Sequence, residues 1–213
     1  MTRGLKAVIP GVGRSIRVKA DEIESGAVEA AALGVGVLVP EYLGIPDLAV
    51  DDHFLNSIDM QATAYTLTAT TLPAGNPPRT LTFTHTSDGG ADTLGNVVVE
   101  GTDGEDAVIT ETVALVAASA VTSLKAFKTV TSVITAGWVT NGAADQIKVG
   151  FGAGLGLTRR LTADAQVFLA MLAGLVRLPD AISTDVTDIA LNWISLTGGT
   201  YDGAKEARAI LVL

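Results

Sequence analysis

Apolar and polar residues alternate with a period of two over much of this chain, the pattern of strands that cover one face and wet the other. The clearest case is residues 80–86, where Leu81, Phe83 and His85 interleave with Thr80, Thr82, Thr84 and Thr86. The Thr side is expected in solvent, because β-branching suits an extended backbone. Residues 108–115 divide in the same way, with Ile109, Glu111, Val113 and Leu115 on one side and Val108, Thr110 and Thr112 on the other. Glu111 therefore points with apolar neighbours and needs a partner if covered, which predicts an edge position or an ion pair. Gly89-Gly90, Asp103-Gly104 and Asn141-Gly142 punctuate these runs with residues that tolerate the backbone of tight turns. Many short strands spaced like this predict a mostly β protein: an Ig-like or jelly-roll-like β-sandwich, with an extended N-terminal arm and short helical pieces.

The remaining segments extend that picture. Residues 15–19 alternate as a short edge strand able to pair with a neighbour's sheet, and residues 23–33 carry helix formers weakened by Gly26. Residues 34–39 form an apolar run ended by Pro40, either a buried strand or an arm that packs on a partner. Two prolines, a glycine and several acids make residues 40–54 linker-like. Gly150, Gly152, Gly154 and Gly156 recur at every second position, which thins one side of a strand and lets another backbone approach. Residues 165–176 are apolar on all sides, either a strand buried on both faces or a short packed helix, and the family resemblance given below favours the strand. Residues 189–196 and 207–213 are two more strand candidates, and the final Ile-Leu-Val-Leu is expected to be tucked into a sheet or an interface. The chain divides into an arm and linker (1–57), a central sandwich (58–160) and a C-terminal β segment (161–213) that completes the sandwich or forms an oligomer interface.

Charge changes the picture most. The net charge is −9, unevenly spread: residues 1–19 carry five bases and no acid, residues 20–124 one base and sixteen acids, and the remainder eight bases and seven acids. An acidic body repels nucleic acid and its own copies. The basic leader, with Arg3, Lys6, Arg14, Arg17 and Lys19, is the composition of an arm that reaches an acidic surface. The absence of cysteine removes disulfides and thiolate metal sites. No apolar run is long enough for a signal peptide or membrane span, so no membrane partner is expected.

The order Pro78-Arg79-Thr80-Leu81-Thr82, Val97 to Asp103, Ile109-Thr110-Glu111-Thr112, Lys125 to Val133, and then Val149-Gly150-Phe151-Gly152 with Leu155-Gly156-Leu157, resembles a family of tailed-bacteriophage virion proteins, the capsid decoration or cement proteins. The similarity covers about residues 60–160, lies in the succession of motifs, and departs in the N-terminal quarter and after Leu178. It implies a structural, non-enzymatic role on the capsid surface, with the major capsid protein as partner and a homotrimer as the assembly, the basic side chains above making the contact. A tail, neck or fibre component and a host-glycan-binding module are the alternatives.

Candidate chemistry adds little. Gly34-Val-Gly36 lacks the third glycine and the helix of a dinucleotide site, and Pro40 would break that helix. Asp88 with Asp92, and Asp103 with Glu105 and Asp106, fall short of a calcium loop and read as turn residues; no metal, cofactor or catalytic residue is assigned. His53 and His85 lie far apart in sequence, and His85 is expected as a half-buried strand-end imidazole. No nucleophile elbow or Ser-x-x-Lys is present. Glycan binding would want exposed aromatic platforms, and Tyr65 and Phe83 are isolated. Arg159 and Arg160 are expected to meet acidic neighbours.

Overall fold

In a computed structural model of the chain, residues 37–62, 65–86, 94–136, 145–196 and 201–213 are described, together with the backbone of two N-terminal strands, β1 (Leu5–Val8) and β2 (Ser15–Val18). The predicted helix at 23–33, the turns at Gly89-Gly90 and Asn141-Gly142, and the Asp88–Asp92 cluster lie outside the described residues. The protein is mostly β, built from antiparallel sheets, and two 3-10 turns (Asp164–Gln166 and Ile189–Leu191) are the helical elements among the described residues. No helix among the described residues is long and apolar enough to cross a membrane.

The strands continue as β3 (Leu38–Tyr42), β4 (Val50–Asp59), β5 (Arg79–Thr86), β6 (Asn96–Thr102), β7 (Val108–Ala114), β8 (Ala120–Phe127), β9 (Thr129–Ala136), β10 (Gln146–Gly156), β11 (Val167–Leu172), β12 (Leu175–Arg177), β13 (Pro179–Ser183), β14 (Trp193–Leu196) and β15 (Ala207–Val212). A six-stranded sheet runs β13-β14-β10-β5-β8, with β4 also paired to β10. Around it lie a three-stranded sheet, β7-β6-β9, and a four-stranded sheet, β12-β11-β15-β3, while β1 and β2 form a separate hairpin.

Two apolar cores follow from this arrangement. The first joins the six-stranded sheet, through Phe54, Leu81, Phe83, Val149 and Phe151, to the three-stranded one, through Val97, Val99, Ile109, Val113 and Val133. That is the expected sandwich, and the Leu81–Phe83–His85 side of β5 is its covered face. The second joins Leu155, Ile194 and Leu196 to Ala170, Leu172, Ala209 and Leu211 of the four-stranded sheet. Strand β10 serves both cores. It pairs with β5 along one side, and on the other changes partner from β4 to β14. Its alternate glycines permit this crowding as expected: a Cβ on Gly150 would fall inside the Val50 carbonyl oxygen, and one on Gly154 would strike the Thr80 side chain. At the β8–β9 crossing Lys128 is the single residue between the six-stranded and the three-stranded sheet, and Gly101 of β6 is tight against the Thr129 carbonyl at that corner.

Several expectations change. Residues 165–176 are not one strand buried on both faces: β11 and β12 form a hairpin closed by Ala173-Gly174, both at positive φ (53° and 73°), and Leu175 and Val176 are exposed. An apolar run carries no signal of where it reverses, and alanine is an unusual first residue for such a turn. Residues 189–196 begin as a 3-10 turn, because buried Asn192 donates to the Asp185 and Asp188 carbonyls and curls the segment before β14 starts. His85 is fully covered, 2% exposed, where the turn before β8 meets it: its Nδ1 accepts from the Ala118 amide and its own amide donates to the Ser119 carbonyl. Pro40 lies within β3, at the edge of its sheet, where the missing N–H costs no ladder bond. The segment expected to be linker-like carries Leu43, wholly buried in the second core, and leads into β4. The C-terminal run is tucked in as expected, with Ile210 and Leu211 buried and Leu213 exchanging both backbone hydrogen bonds with Val37.

Candidate interaction surfaces

Of the five basic residues assigned to contact a partner, Lys6 and Arg17 are directly opposite each other in the β1–β2 ladder, while Arg3, Arg14 and Lys19 lie outside the described residues. The ladder alternates: Leu5 faces Val18, Lys6 faces Arg17, Ala7 faces Ile16 and Val8 faces Ser15. Strand β2 thus pairs within its own chain, and a basic cross-strand pair sits between two apolar ones.

Among the described residues the largest fully buried side chain is one that sequence reasoning passed over. Arg79 opens β5 at 0% exposure, where the two cores meet. Its Nε and Nη2 donate to the Gly152 carbonyl, and Nη1 donates to the Asp47 carbonyl at 3.0 Å and to Asn76 Oδ1 at 2.9 Å. The guanidinium lies over Phe151 of the first core at 5.0 Å and Tyr201 of the second at 5.3 Å. Burial pulls its pKa down to about 10, with the Tyr201 and Asp47 side chains pulling the other way, so it stays charged at neutral pH. Its sequence signal was only that it is the single base among sixteen acids between residues 20 and 124.

Beside it opens a shallow cavity of about 540 Å³, walled by Leu48, Val50, Pro73 and Phe151 with Asp47, His53, Tyr201 and Asp202. These come from four separate stretches, so no local motif announces them. Their polar groups hold the walls in place. His53 donates from Nε2 to the Thr71 carbonyl, Asp47 accepts from Asn76, and Asp202 caps the Ala204 and Lys205 amides and pairs with Lys205. The Tyr201 hydroxyl accepts from the Leu196 amide, and burial pushes its pKa up.

The carboxylates singled out in the sequence are likewise structural. Glu111 lies on β7, an edge strand as expected, and its partners are main-chain: it accepts from the Leu124 and Lys125 amides at 2.7 and 3.0 Å. Burial pushes its carboxyl above the ordinary range, and those two N–H groups with the Lys125 charge pull it back. Here β8 is bulged against β5. Every freed backbone group finds a partner: Ser123 takes the Leu81 amide and donates to the Lys125 carbonyl, and the Trp193 indole donates to the Leu124 carbonyl. Asp103 accepts from the Glu105 and Ala107 amides, Glu105 grips Arg160 in a two-point pair, and Asp106 pairs with Lys128 at 2.6 Å. Arg159 meets Glu41 at 3.9 Å. Each acidic neighbour of the arginine pair therefore belongs to this chain. Among the described residues no group of three or more His, Asp or Glu is placed to hold a metal ion.

The outward faces of the two smaller sheets differ. On the three-stranded sheet the positions opposite the core carry Asn96, Glu100, Thr102, Thr110, Thr112 and Ser132 around Val98, Val108 and Ile134, and Val108 is 72% exposed. On the four-stranded sheet the corresponding positions are apolar: Val176 beside Met171, Leu169 beside Ile210, and Pro40 and Leu38 beyond. Arg208, tied to Glu206, is the charged residue among them, and Tyr42 (59% exposed) stands at the same end. No family model, curated protein or solved structure matches the chain.

Proposed function

We propose that this protein is a non-enzymatic structural subunit of a bacteriophage virion, decorating the outside of the head by binding the major capsid protein. The observation that carries this is the separation of charge: the Lys6–Arg17 pair stands on its own hairpin, and the sixteen acids lie between residues 20 and 124. A cationic element joined to an anionic body docks on an acidic lattice with one end and keeps its own copies apart with the other. The motif order across residues 60–160 that resembles cement proteins supports the same role. So does the use of Arg79, Glu111 and Asp103 to hold main chain, which favours a stiff frame over a reaction centre. Weak single contacts suffice when many copies engage one lattice, and a closed trimer would multiply them.

The test is occupancy on purified heads. Reversing the five charges at Arg3, Lys6, Arg14, Arg17 and Lys19 to Glu is expected to abolish binding at physiological salt, while the circular dichroism of the sheets is unchanged. Full occupancy by that variant overturns the assignment of the arm, and failure of the unmodified protein to bind heads overturns the role itself.

A further inference from the structure

Strand β12 is the last strand of the four-stranded sheet, β13 is the last strand of the six-stranded one, and only Leu178 separates them. One continuous stretch, residues 175–183, therefore edges both layers of the second core and crosses from one to the other. Among the described residues no strand pairs with its outer side. Proteins usually blunt such an edge with lysine, an inward charge or a covering segment. This one has no lysine, and its side chains are mostly aliphatic. Leu175 and Val176 are more than half exposed, and Leu178, at the crossing, is 75% exposed.

The two charges of the edge are Arg177 and Asp180. Arg177 is half-buried, and its Nε is covered with no hydrogen-bond partner. Among the described residues neither side chain joins an ion pair. A partly covered guanidinium without an acceptor is costly, and a carboxylate relieves it. The two lie three residues apart on an extended chain, about 10 Å, too far to meet each other.

A second copy brings them together. When an extended segment pairs antiparallel with itself about a two-fold axis, residues whose numbers have a constant sum face each other. An axis between Leu178 and Pro179 sets Arg177 against Asp180 of the second copy, and the same pair recurs in reverse. It also sets Val176 against Ala181 and Leu175 against Ile182, aliphatic on aliphatic. Because the axis lies at the crossing, β12 of one copy continues into β13 of the other, and both layers are extended at once. Charge does not oppose the approach: the sixteen acids lie between residues 20 and 124, while the remainder carries eight bases and seven acids. An edge about 30 Å long buries on the order of 500 Å² per copy, against about 800 Å² in a standard interface. The contact is accordingly weak, and two-fold closure stops it from growing into a fibre.

We propose that residues 175–183 form a two-fold self-association site, in which a second copy of this chain lies antiparallel along the edge and Arg177 of each copy meets Asp180 of the other. This contact is separate from the trimer of the decoration reading and does not depend on that role, because the test uses the isolated protein.

The chain has no cysteine, so a single introduced thiol reports on one contact. Leu178→Cys, beside the axis, is expected to give a disulfide-linked pair of chains under mild oxidation several-fold faster than Val108→Cys, which is equally exposed on the three-stranded sheet. Sedimentation of the unmodified protein at micromolar concentration should show a species twice the mass of the Leu178→Asp variant, whether that variant is one chain or a trimer. Asp180→Arg, which sets arginine against arginine, should weaken association about tenfold, and adding Arg177→Asp should restore it. Linking no faster than Val108→Cys, equal masses for the unmodified protein and Leu178→Asp, or association untouched by Asp180→Arg each overturns the proposal. Protein that pairs in this way but ignores phage heads sinks the decoration role and leaves this contact standing.

Discussion

The two small sheets share the same large sheet, yet their outward faces follow opposite rules. The three-stranded sheet shows water Thr, Ser, Asn and Glu around three aliphatic residues, Val98, Val108 and Ile134, a mostly polar alternation. The four-stranded sheet is apolar outward as well as inward, from Val176 across Leu169 and Ile210 to Pro40. On the second, Val176 is exposed, Leu169 and Met171 are half-buried and Ile210 is buried, so its apolar outward positions are partly covered already. What joins the two cores is Arg79, whose guanidinium lies between an aromatic ring of each core.

The most severe way to break this arrangement is at that junction. Arg79→Met leaves the Gly152 and Asp47 carbonyls without this donor and takes from Asn76 Oδ1 one of two, the Asp47 amide remaining, and an expected loss of about 3–5 kcal/mol follows from leaving buried acceptors unpaired. Chemical denaturation measures the loss. Because both ends share this residue, amide protection should fall in Val97 of β6 and in Ala209 of β15 together; a loss confined to one would show that the cores are independent.

Glu111→Gln should act on the three-stranded end alone. The amide turns one donor toward the Leu124 and Lys125 N–H groups that the carboxylate accepts, at an expected cost of about 1–3 kcal/mol. Burial sets the folded carboxyl above its unfolded value, so the folded state holds that proton more readily than the unfolded chain. The contribution of its titration is full below the ordinary carboxylate range and is lost as pH rises through the raised value. The stability gap between wild type and variant is therefore expected to narrow from acid toward neutral pH, and urea titrations at several pH values give that slope.

The smallest effect sharpens the other end. Ala173 holds a left-handed backbone that costs a non-glycine residue about 1 kcal/mol, and asparagine tolerates it better. Ala173→Asn should raise the melting temperature modestly and increase amide protection in Leu172 and Leu175 while leaving β6 and β7 unchanged. A lower melting temperature would show that the turn is held by something other than its own backbone.

The covered Leu81–Phe83–His85 side of β5, the Asp103-Gly104 turn, the glycine ladder of β10 and the tucked C-terminus were legible in the linear order, because each is a local demand on backbone or burial, whereas the Thr side expected in solvent is partly covered, with Thr80 buried against the glycines of β10. The charge division was legible for the same reason, being a property of counting. The roles of Glu111 and Arg79 were not. Glu111 advertised a need for a partner, but the partner is a bulge in β8 that exists only once two sheets are stacked. Arg79 is satisfied by Gly152, Asp47 and Asn76, brought together by three different crossings.

Periodicity determined by itself that this polypeptide is made of strands and which side of most of them seeks cover, since that depends on neighbours two residues apart. The hairpin at 167–177, the partner switch along β10 and the dry outward face of the four-stranded sheet were decided only in three dimensions. An apolar residue records that it prefers to leave water, and it does not record which of several surfaces will be there to meet it.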